Sequence, residues 1–550
     1  MSEITSLMSI ARTALMSTQK SISVVSHNIA NANTEGYSKQ RTLLETRAPA
    51  EVGGLLFGRG VDIADISRIY DPFIEASLRD AKSDFSFFDS KGAVLSNVES
   101  IINDLATEFG LSFSINDFFN GFQDVANDPS SATERGSLLA KASVMADTLQ
   151  RIDQRVKQEL TSIGGQVDAL VVEVNSLANR IADVNKEIIF MSNRNLTPND
   201  LLDKRDSLLR DLSEIIDIST FKDNEGTVNV LMGTGIKLVS GTQVTKVTLV
   251  EPSLTTGSYE LLSGGVVKFA SRLTGGSIKG LIDGRDQAIS TLKQIDVLAA
   301  SIYQDVNGLH SAGYGLDNST GNDFFTGIQV YTEAESDNTG GARVSASSIT
   351  SLSALTLDDY QITFSAPATY NVVNSKTGSV VVSAGAYTSG NAIAFEGISV
   401  TITNNTGAPA VGDTFDISAT HGLTGNIDIA ITDTDKVAAS STLAGLPGNN
   451  INALAMSALR DAKNTVGKTY ADYHTGILTE VGVESNFLNV NLELQESVVQ
   501  ELTNSRESVS GVSLEEEAIE MIKLQRSFEA AAKLLTVADE MFQTILSIKR

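Results

Sequence analysis

The chain has 550 residues, too many for one hydrophobic core and enough for roughly three or four domains of about 150 residues each. It carries 67 acidic and 41 basic side chains, a formal charge of -26, and so acidic a surface would repel nucleic acid and anionic membranes. It contains no cysteine, which excludes disulfides, thiol nucleophiles, zinc–thiolate sites and iron–sulfur clusters.

The first predicted element is a helix over residues 1–34 with one apolar stripe. The stripe positions step by alternating four and three residues, which places them on one seam of a helix that associates with other helices. Polar residues interrupt the stripe too often for the apolar segment of a secretory signal peptide, so export would use another route. The stripe consists of Ile4, Met8, Ala11, Leu15, Thr18, Ile22, Val25 and Ile29.

An asparagine-rich segment of turn formers closes this helix. Alternation with period two over residues 60–66 then predicts a strand or hairpin. The polar and turn-forming positions of the segment, called here the axial signature, are Asn28, Asn31, Asn33, Gly36 and Tyr37.

A helical pattern extends from Asp71 to about Ile218. Within it, Thr197 is predicted to cap a helix, with Pro198 at its first position and an amphipathic run over 201–216. The predicted secondary structure then alternates over four further segments. They are β-rich from Ser219 to about Leu273, helical from about Asp286, β-rich over 325–443, and helical from Asn449 to the end.

The last helix carries a second apolar stripe. A capping box, Ser513 to Glu516, marks its start, and the helix is expected to run about 35 residues, or roughly 50 Å. Its apolar positions step by alternating three and four residues. They are Met521, Leu524, Phe528, Ala531, Leu535, Ala538, Phe542 and Ile545.

These elements predict an α+β multidomain protein: a long helical coiled-coil trunk built from both chain ends, with inserted β-rich outer domains. Both ends are expected to be largely mobile in the free monomer, because one buried stripe does not offset the backbone entropy of a lone helix. The predicted units are terminal coiled-coil helices at 1–34 and 514–550, a helical trunk domain at 35–218, 275–324 and 449–513, a small β-rich insert at 219–274, and a β-rich outer domain at 325–448.

Motifs that carry chemistry are weak or incomplete. The four histidines, His27, His310, His421 and His474, are scattered and fit structural or exposed positions better than metal sites. Residues 317–323 suggest a calcium loop, but Asn322 replaces the required glycine, so an Asx-rich turn is the better interpretation. The sequence therefore predicts no catalytic residue, no cofactor, no metal site and no enzyme activity.

Several segments resemble a known family. Residues 28–41 resemble the N-terminal signature of bacterial flagellar rod, hook and hook-associated proteins. Further segments resemble the hook–filament junction protein, the FlgK family, and the C-terminal run is the most specific of them. These segments are 126–131, 199–206, 280–286, 308–314 and 510–542.

The resemblance implies a structural subunit that joins hook to filament in the extracellular flagellum. It implies contacts with hook protein, with a second junction protein next to the filament and with copies of itself. It also implies type III export without a cleaved signal peptide, with a cytoplasmic flagellar export chaperone bound to the C-terminal stripe region. The acidic charge predicts that the chain binds neither nucleic acid nor membrane.

Three alternatives stay open at the level of sequence. The stripes could complete a private helical bundle within one chain. The chain could be a surface adhesin with coiled-coil arms and a β-rich head at 325–445. An enzyme could also lie in the β insert, although no nucleophile–base or metal arrangement supports it.

Overall fold

The computed structural model of this chain describes residues 2–52, 55–103, 110–223, 226–252, 257–335, 337–463 and 466–548. Its helices and sheets confirm the predicted α+β multidomain class with a helical trunk and inserted β-rich units. The helices of the described residues are α1 Ser2–Ala30, α2 Pro72–Ile102, α3 Leu111–Asn127, α4 Ala132–Ser192, α5 Asn199–Ile215, α6 Gly276–His310, α7 Leu423–Asn426, α8 Ile451–Ala458, α9 Tyr470–Ser510 and α10 Leu514–Ile548.

The trunk is built on α4, which has 61 residues and is roughly 90 Å long. The helices α2, α6 and α9 pack together beside it, although they are far apart in sequence. Two glycines let α6 approach α2 closely: a Cβ on Gly280 would lie 2.5 Å from the Phe87 carbonyl oxygen, and one on Gly284 would lie 2.9 Å from Val94 Cβ. These glycines belong to one of the family-like segments, and their role there is helix packing.

The strands are short and pair antiparallel. Those preceding the second helix are β1 Gln40–Thr46, β2 Ala50–Val52, β3 Leu55–Phe57 and β4 Val61–Arg68. Those between α5 and α6 are β5 Ile218–Lys222, β6 Val228–Met232, β7 Ile236–Ser240, β8 Gln243–Val244, β9 Val247–Val250, β10 Glu260–Ser263 and β11 Val267–Lys268. Those after α6 are β12 Phe325–Thr326, β13 Tyr331–Ala334, β14 Ala342–Ile349, β15 Asp359–Ala366, β16 Thr369–Asn374, β17 Val380–Ala386, β18 Ala392–Phe395, β19 Ile398–Asn404, β20 Thr414–Ser418 and β21 Asp428–Ile429.

The smaller β unit is fastened to α4 by two asparagines. Its sheets have the orders β5-β6-β7-β8 and β11-β10-β9. Asn185 donates to the carbonyl oxygens of Val228 (2.9 Å) and Gly241 (2.8 Å), and Asn175 exchanges two 2.9 Å hydrogen bonds with the backbone of Val247. Because these amides satisfy strand ends that would otherwise be buried unpaired, they fix the insert on the trunk.

The larger β unit has two sheets, ordered β13-β20-β15-β16-β17 and β14-β19-β18. Along β15, Tyr360, Ile362 and Phe364 are buried and alternate with more exposed residues, the pattern of a sheet with one face on a core. Tyr360 meets Phe395 of β18 edge to face at 5.0 Å, so the two sheets share that core.

Three local predictions were wrong. The first helix ends at Ala30 rather than near residue 34. The helix expected from about Asp286 begins at Gly276, because packing against α2 and α5 offsets the low helix propensity of its glycines. Thr197 does not cap α5: its hydroxyl donates to Asp65 at 2.8 Å, and the helix begins at Asn199.

Two of the histidines are structural. His310 is buried, with Nδ1 2.7 Å from the Asn322 carbonyl oxygen and Nε2 accepting from the Ala438 amide at 2.9 Å. Burial lowers its pKa to about 4, and it lowers the pKa of His474 to about 4 as well. Both rings are therefore neutral at physiological pH, as interior hydrogen-bonding groups.

Candidate assembly interface

The two terminal helices pack on each other as an antiparallel pair, called here the terminal pair. At one end, Asn28 of α1 donates to Glu517 of α10. Farther along, Met8 of α1 and Leu535 of α10 line the same cleft. The two levels are roughly 30 Å apart on each helix, so the helices run in opposite directions over that length.

On α1, the predicted stripe is divided between buried and open positions. Ile4, Ala11 and Val25 are buried, whereas Ile29 is exposed. The half-buried members are Met8, Leu15, Thr18 and Ile22.

On α10, the predicted stripe is divided in the same way. Ala531 and Ala538 are buried, whereas Phe528 and Ile545 are exposed. The half-buried members are Met521, Leu524, Leu535 and Phe542. One chain therefore covers the centre of the seam and leaves its margins open, and the assembly role of these residues stays a prediction.

A second set of exposed apolar residues lies outside the predicted stripe of α10, and sequence analysis missed it. At 100° per residue its members lie on average roughly 130° around the helix from the stripe. They are Ile519, Ile522, Leu534, Val537 and Met541, all exposed. The spacing of these residues could have indicated a second apolar face, but only the regular heptads of the first stripe were followed. Large apolar side chains in such a row on a free helix face indicate an interaction surface.

Asn28 joins the two terminal helices to the following strand. Its amide donates to the Gln40 carbonyl oxygen and to Glu517 Oε2, both at 2.9 Å. Its carbonyl oxygen accepts from the Gln40 amide at 3.0 Å and from the Tyr37 hydroxyl at 2.8 Å. The side chain is buried and uses its full hydrogen-bonding capacity, so aspartate, leucine or alanine would each leave a partner unsatisfied.

Tyr37 and Lys39 complete the charge balance around Asn28. Burial raises the pKa of Tyr37, as do Asp200, Asp203 and Glu517, so the hydroxyl remains a donor. Lys39 Nζ lies 3.0 Å from the buried Glu517 carboxylate. Burial opposes the charge on Lys39, but hydrogen bonds to Glu517 and Glu516 raise its pKa overall. Lys39 thus pairs with the buried Glu517 carboxylate in the first turn of α10.

The family-like segment at 199–206 holds the axial signature in place. Asp203 accepts from the Ser38 amide at 3.0 Å and from Arg68 at 2.7 Å. Arg68 also pairs with Asp206 at 2.6 Å, and all three charged side chains are largely buried. The β1–β4 hairpin is therefore clamped on α5, and the direction of α1 is set by the trunk. The sequence alone did not indicate this contact.

Gly36 is required where the signature loop meets the trunk. Its φ is 80°, in the left-handed region, and a Cβ would lie 2.8 Å from Arg210 Nη2. Its carbonyl oxygen accepts from Arg506 of α9 at 3.0 Å. The buried carboxylate of Glu75 lies between the two arginines, at 2.9 Å from Arg210 and 2.5 Å from Arg506. This Glu75 cluster joins α2, α5 and α9 beneath the loop.

The remaining signature asparagines lie outside this joint. Asn31 is half-buried and makes local hydrogen bonds, to the His27 carbonyl oxygen at 3.0 Å and from the Thr34 hydroxyl at 3.2 Å. Asn33 is exposed. The structure therefore brings together Asn28, Gly36 and Tyr37, and it places Asn31 and Asn33 in the turn.

We expect Asn28→Asp to open the joint between the terminal helices, because a carboxylate would face Glu517 where an amide now donates. The expected loss is about 2–4 kcal/mol for a buried, unpaired like charge. Hydrogen exchange of residues 514–530 would measure it, with Asn33→Asp at an exposed position as the matched control. Equal protection in the two variants would contradict the assignment.

No helix among the described residues is sufficiently long and apolar to cross a membrane. In the same part of the chain, no group of three or more histidine, aspartate or glutamate side chains is placed to hold a metal ion. The arrangement that the structure does show is a paired helical arm with an open apolar face, fixed to a trunk by buried charges.

Three family models match the chain. Residues 95–325 match the flagellar hook-associated protein FlgK helical domain. Residues 8–37 match the flagella basal body rod protein model, and residues 497–548 match the flagellar basal body rod FlgEFG protein C-terminal model. The end matches cover most of the terminal pair, and the central match covers the trunk helices α3 to α6.

Curated relatives span the whole chain. Flagellar hook-associated protein 1 of Escherichia coli K12 is 27% identical, covering 99% of this chain and 100% of the relative. The protein of the same name from Bacillus subtilis 168 is 26% identical, covering 98% and 97%.

A solved structure has the same fold. The flagellar hook junction protein FlgK from Burkholderia pseudomallei superposes with a TM-score of 0.68 at 20% identity, over 79% of this chain and 100% of that one. Family models at the trunk and both ends, full-length relatives of a single name and this shared fold together support a FlgK-family flagellar hook-associated protein.

Proposed function

We propose that this protein is a structural subunit of the bacterial flagellum that joins the hook to the filament and assembles through its terminal helices. The observation that carries the proposal is the two-sided α10. One apolar seam packs on α1, and a second, which includes Ile522, Val537 and Met541, is exposed on the same helix of 35 residues. Exposed rows of large apolar side chains of this kind mark interaction surfaces.

A subunit that joins hook to filament has a different partner at each end. Hook protein contacts one end, the second junction protein lies next to the filament at the other, and copies of this chain lie side by side. Family membership supports these partners. It supports the junction role and gives no support to the adhesin alternative, because the matched relatives are flagellar.

Export is the finer part of the proposal. The chain travels through the flagellar type III apparatus without a cleaved signal peptide and functions outside the cell. Before export, a cytoplasmic export chaperone covers the C-terminal stripe, from Met521 to Ile545. The exposed stripe residues Phe528 and Ile545 support this, because exposed large apolar side chains favour unwanted association unless a partner covers them.

The role of each unit is also part of the proposal. Residues 1–34 and 514–550 form the axial core, and residues 35–218, 275–324 and 449–513 form the trunk domain. The β-rich insert at 219–274 and the outer domain at 325–448 face outward, without enzyme activity. In the structure α1 and α10 are formed and paired within one chain; the mobility of both ends in the free monomer stays a prediction.

Deleting the gene and examining the cells by electron microscopy tests the function. The expected result is hooks without filaments, with filament protein released into the medium, and full recovery when the gene is restored. Filaments of normal number on the deletion strain would refute the junction role.

A further inference from the structure

The middle of α9 has an exposed apolar row that faces away from the trunk, called here the α9 strip. α9 buries a different face, which includes Ile477, Val481 and Leu488. The strip steps by three or four residues, the spacing of an association helix. Its members are Val483, Phe487, Val490, Leu494 and Val498, and between 37% and 65% of each is exposed.

Acidic side chains border the strip. Glu493 and Glu501 are both exposed and lie roughly 12 Å apart along the helix. Leu494 and Val498 lie between them in sequence. The end of α9 nearest the terminal pair is therefore an apolar surface with two negative charges.

The complementary surface lies on α1. A cleft of about 640 Å³ runs between α1, β4 and α10, and we call it the α1 cleft. Its lining residues include Met8, Arg12, Met16, Lys20, Ile63 and Leu535. Arg12 and Lys20 are exposed and form no ion pair with any residue that the structure describes. The lining also contains Arg47 and Asp62, which pair with each other at 2.6 Å. In a chain with an excess of acids, the two remaining cations beside the apolar side chains of this cleft favour a partner that carries both acidic and apolar groups.

The charges of the two surfaces have the same spacing. Arg12 and Lys20 are roughly 12 Å apart with Met16 midway, and Glu493 and Glu501 are separated by the same interval with Leu494 and Val498 between them. A pair of opposite charges would then lie at each end of an apolar contact between the two copies. The apolar contact shields the ion pairs from water, and the ion pairs fix the register of the two helices.

The two surfaces do not meet within one chain. Met16 is 50% exposed and Leu494 is 57% exposed, so neither is covered by the other. Within the described residues, α9 makes no extended contact with α1 or α10, and it ends where the Ser510 carbonyl oxygen accepts from the Lys39 amide at 2.8 Å. Each surface is available to another molecule.

We propose that the α9 strip of one copy packs in the α1 cleft of a second copy. Such a contact joins two different patches and is therefore heterologous, so its repetition generates a ring or a helical array rather than a closed dimer. The inference rests on the proposed function, and it names the lateral contact through which the subunits of the junction meet.

Cysteine cross-linking tests the contact, since the natural chain contains no cysteine. Two full-length chains with different tags, one carrying Met16→Cys and the other Leu494→Cys, are produced together in cells that lack the gene. Mild oxidation of isolated flagella is expected to give a disulfide dimer that contains both tags. Val172→Cys, on the exposed surface of α4, replaces Leu494→Cys in the matched control and should give none.

Charge exchange provides the second measurement. Arg12→Glu with Lys20→Glu is expected to reduce the yield of assembled junctions roughly tenfold, and Glu493→Lys with Glu501→Lys to do the same. All four substitutions in one chain are expected to restore most of it.

The outcomes distinguish the contact from the function. If the cysteine variants give normal filaments but no mixed dimer, this contact is overturned and the junction role stays intact. The same conclusion follows if the fourfold variant does not recover the yield of junctions. A photo-cross-linker attached to Met16→Cys should capture residues 490–501 of a second copy. If it captures hook protein instead, the second copy is the wrong partner. If the filaments are normal although the cysteine variants are absent from the isolated flagella, both the contact and the junction role are overturned.

Discussion

Leu535→Asp is expected to abolish incorporation into the hook–filament junction while the trunk and β units stay folded. Leu535 is half-buried and lines the α1 cleft together with Met8 of the facing helix, so aspartate would replace an apolar side chain of the seam by a charge. Even with Arg12 and Lys20 in the same lining, losing the buried apolar side chain and desolvating the carboxylate cost about 3 kcal/mol, which corresponds to roughly a hundredfold weaker pairing of α1 with α10. Electron microscopy of cells carrying only the variant, with circular dichroism of the purified protein, measures the two effects separately.

Ile22→Asp is expected to act in the same way from the other helix, because Ile22 lies on the α1 stripe beside the buried Val25. Gln525→Asp, at an exposed position of α10, adds the same charge without entering the seam and should assemble normally. Normal junctions with both seam variants would refute the seam assignment. Loss of folding in the whole protein would show that the terminal pair belongs to a single private core.

Glu75→Gln is expected to destabilise the trunk beneath the signature loop by about 3–5 kcal/mol. The substitution leaves the Arg210 and Arg506 guanidiniums largely buried and without their shared carboxylate, the costly way to break a buried ion pair. Urea unfolding followed by circular dichroism measures the loss, with the exposed Glu496→Gln of α9 as control. Equal midpoints for the two variants would mean that the Glu75 cluster contributes little stability.

The same cluster gives an acid dependence with a defined sign. Burial alone would raise the pKa of Glu75, but Arg210 and Arg506 lower it below its usual value of 4.5. A depressed folded pKa contributes stability that is complete above the unfolded pKa and is lost as pH falls through the folded pKa. The difference between wild type and Glu75→Gln is therefore expected to be constant from pH 7 to about 5 and to shrink at lower pH.

Sequence periodicity was enough to predict the elements whose patterns are regular. The strand predicted over residues 60–66 is β4, at Val61–Arg68, and the helix predicted to follow the capping box is α10, at Leu514–Ile548. These segments owe their form to local spacing, which a single sequence carries in full. The fold class was predicted for the same reason.

The contacts that position the site were not predictable from spacing. Asp203 and Arg68 are 135 residues apart, and Glu75 and Arg506 are 431 apart, so only the folded chain brings them together. The start of α6 was missed because Gly276, Gly280 and Gly284 look unfavourable in a helix until the packing against α2 and α5 is known. Family resemblance marked several of these segments without indicating what they touch.

The hydrogen bond between Asn28 and Glu517 spans 489 residues, nearly the whole polypeptide. The ribosome must therefore synthesise almost the whole chain before α1 can pair with α10. Under the proposed type III export, a chain that crosses a narrow channel unfolded would have to form this pair again outside the cell, after both termini have emerged. A truncated product would lack α10, so its α1 would remain without this partner.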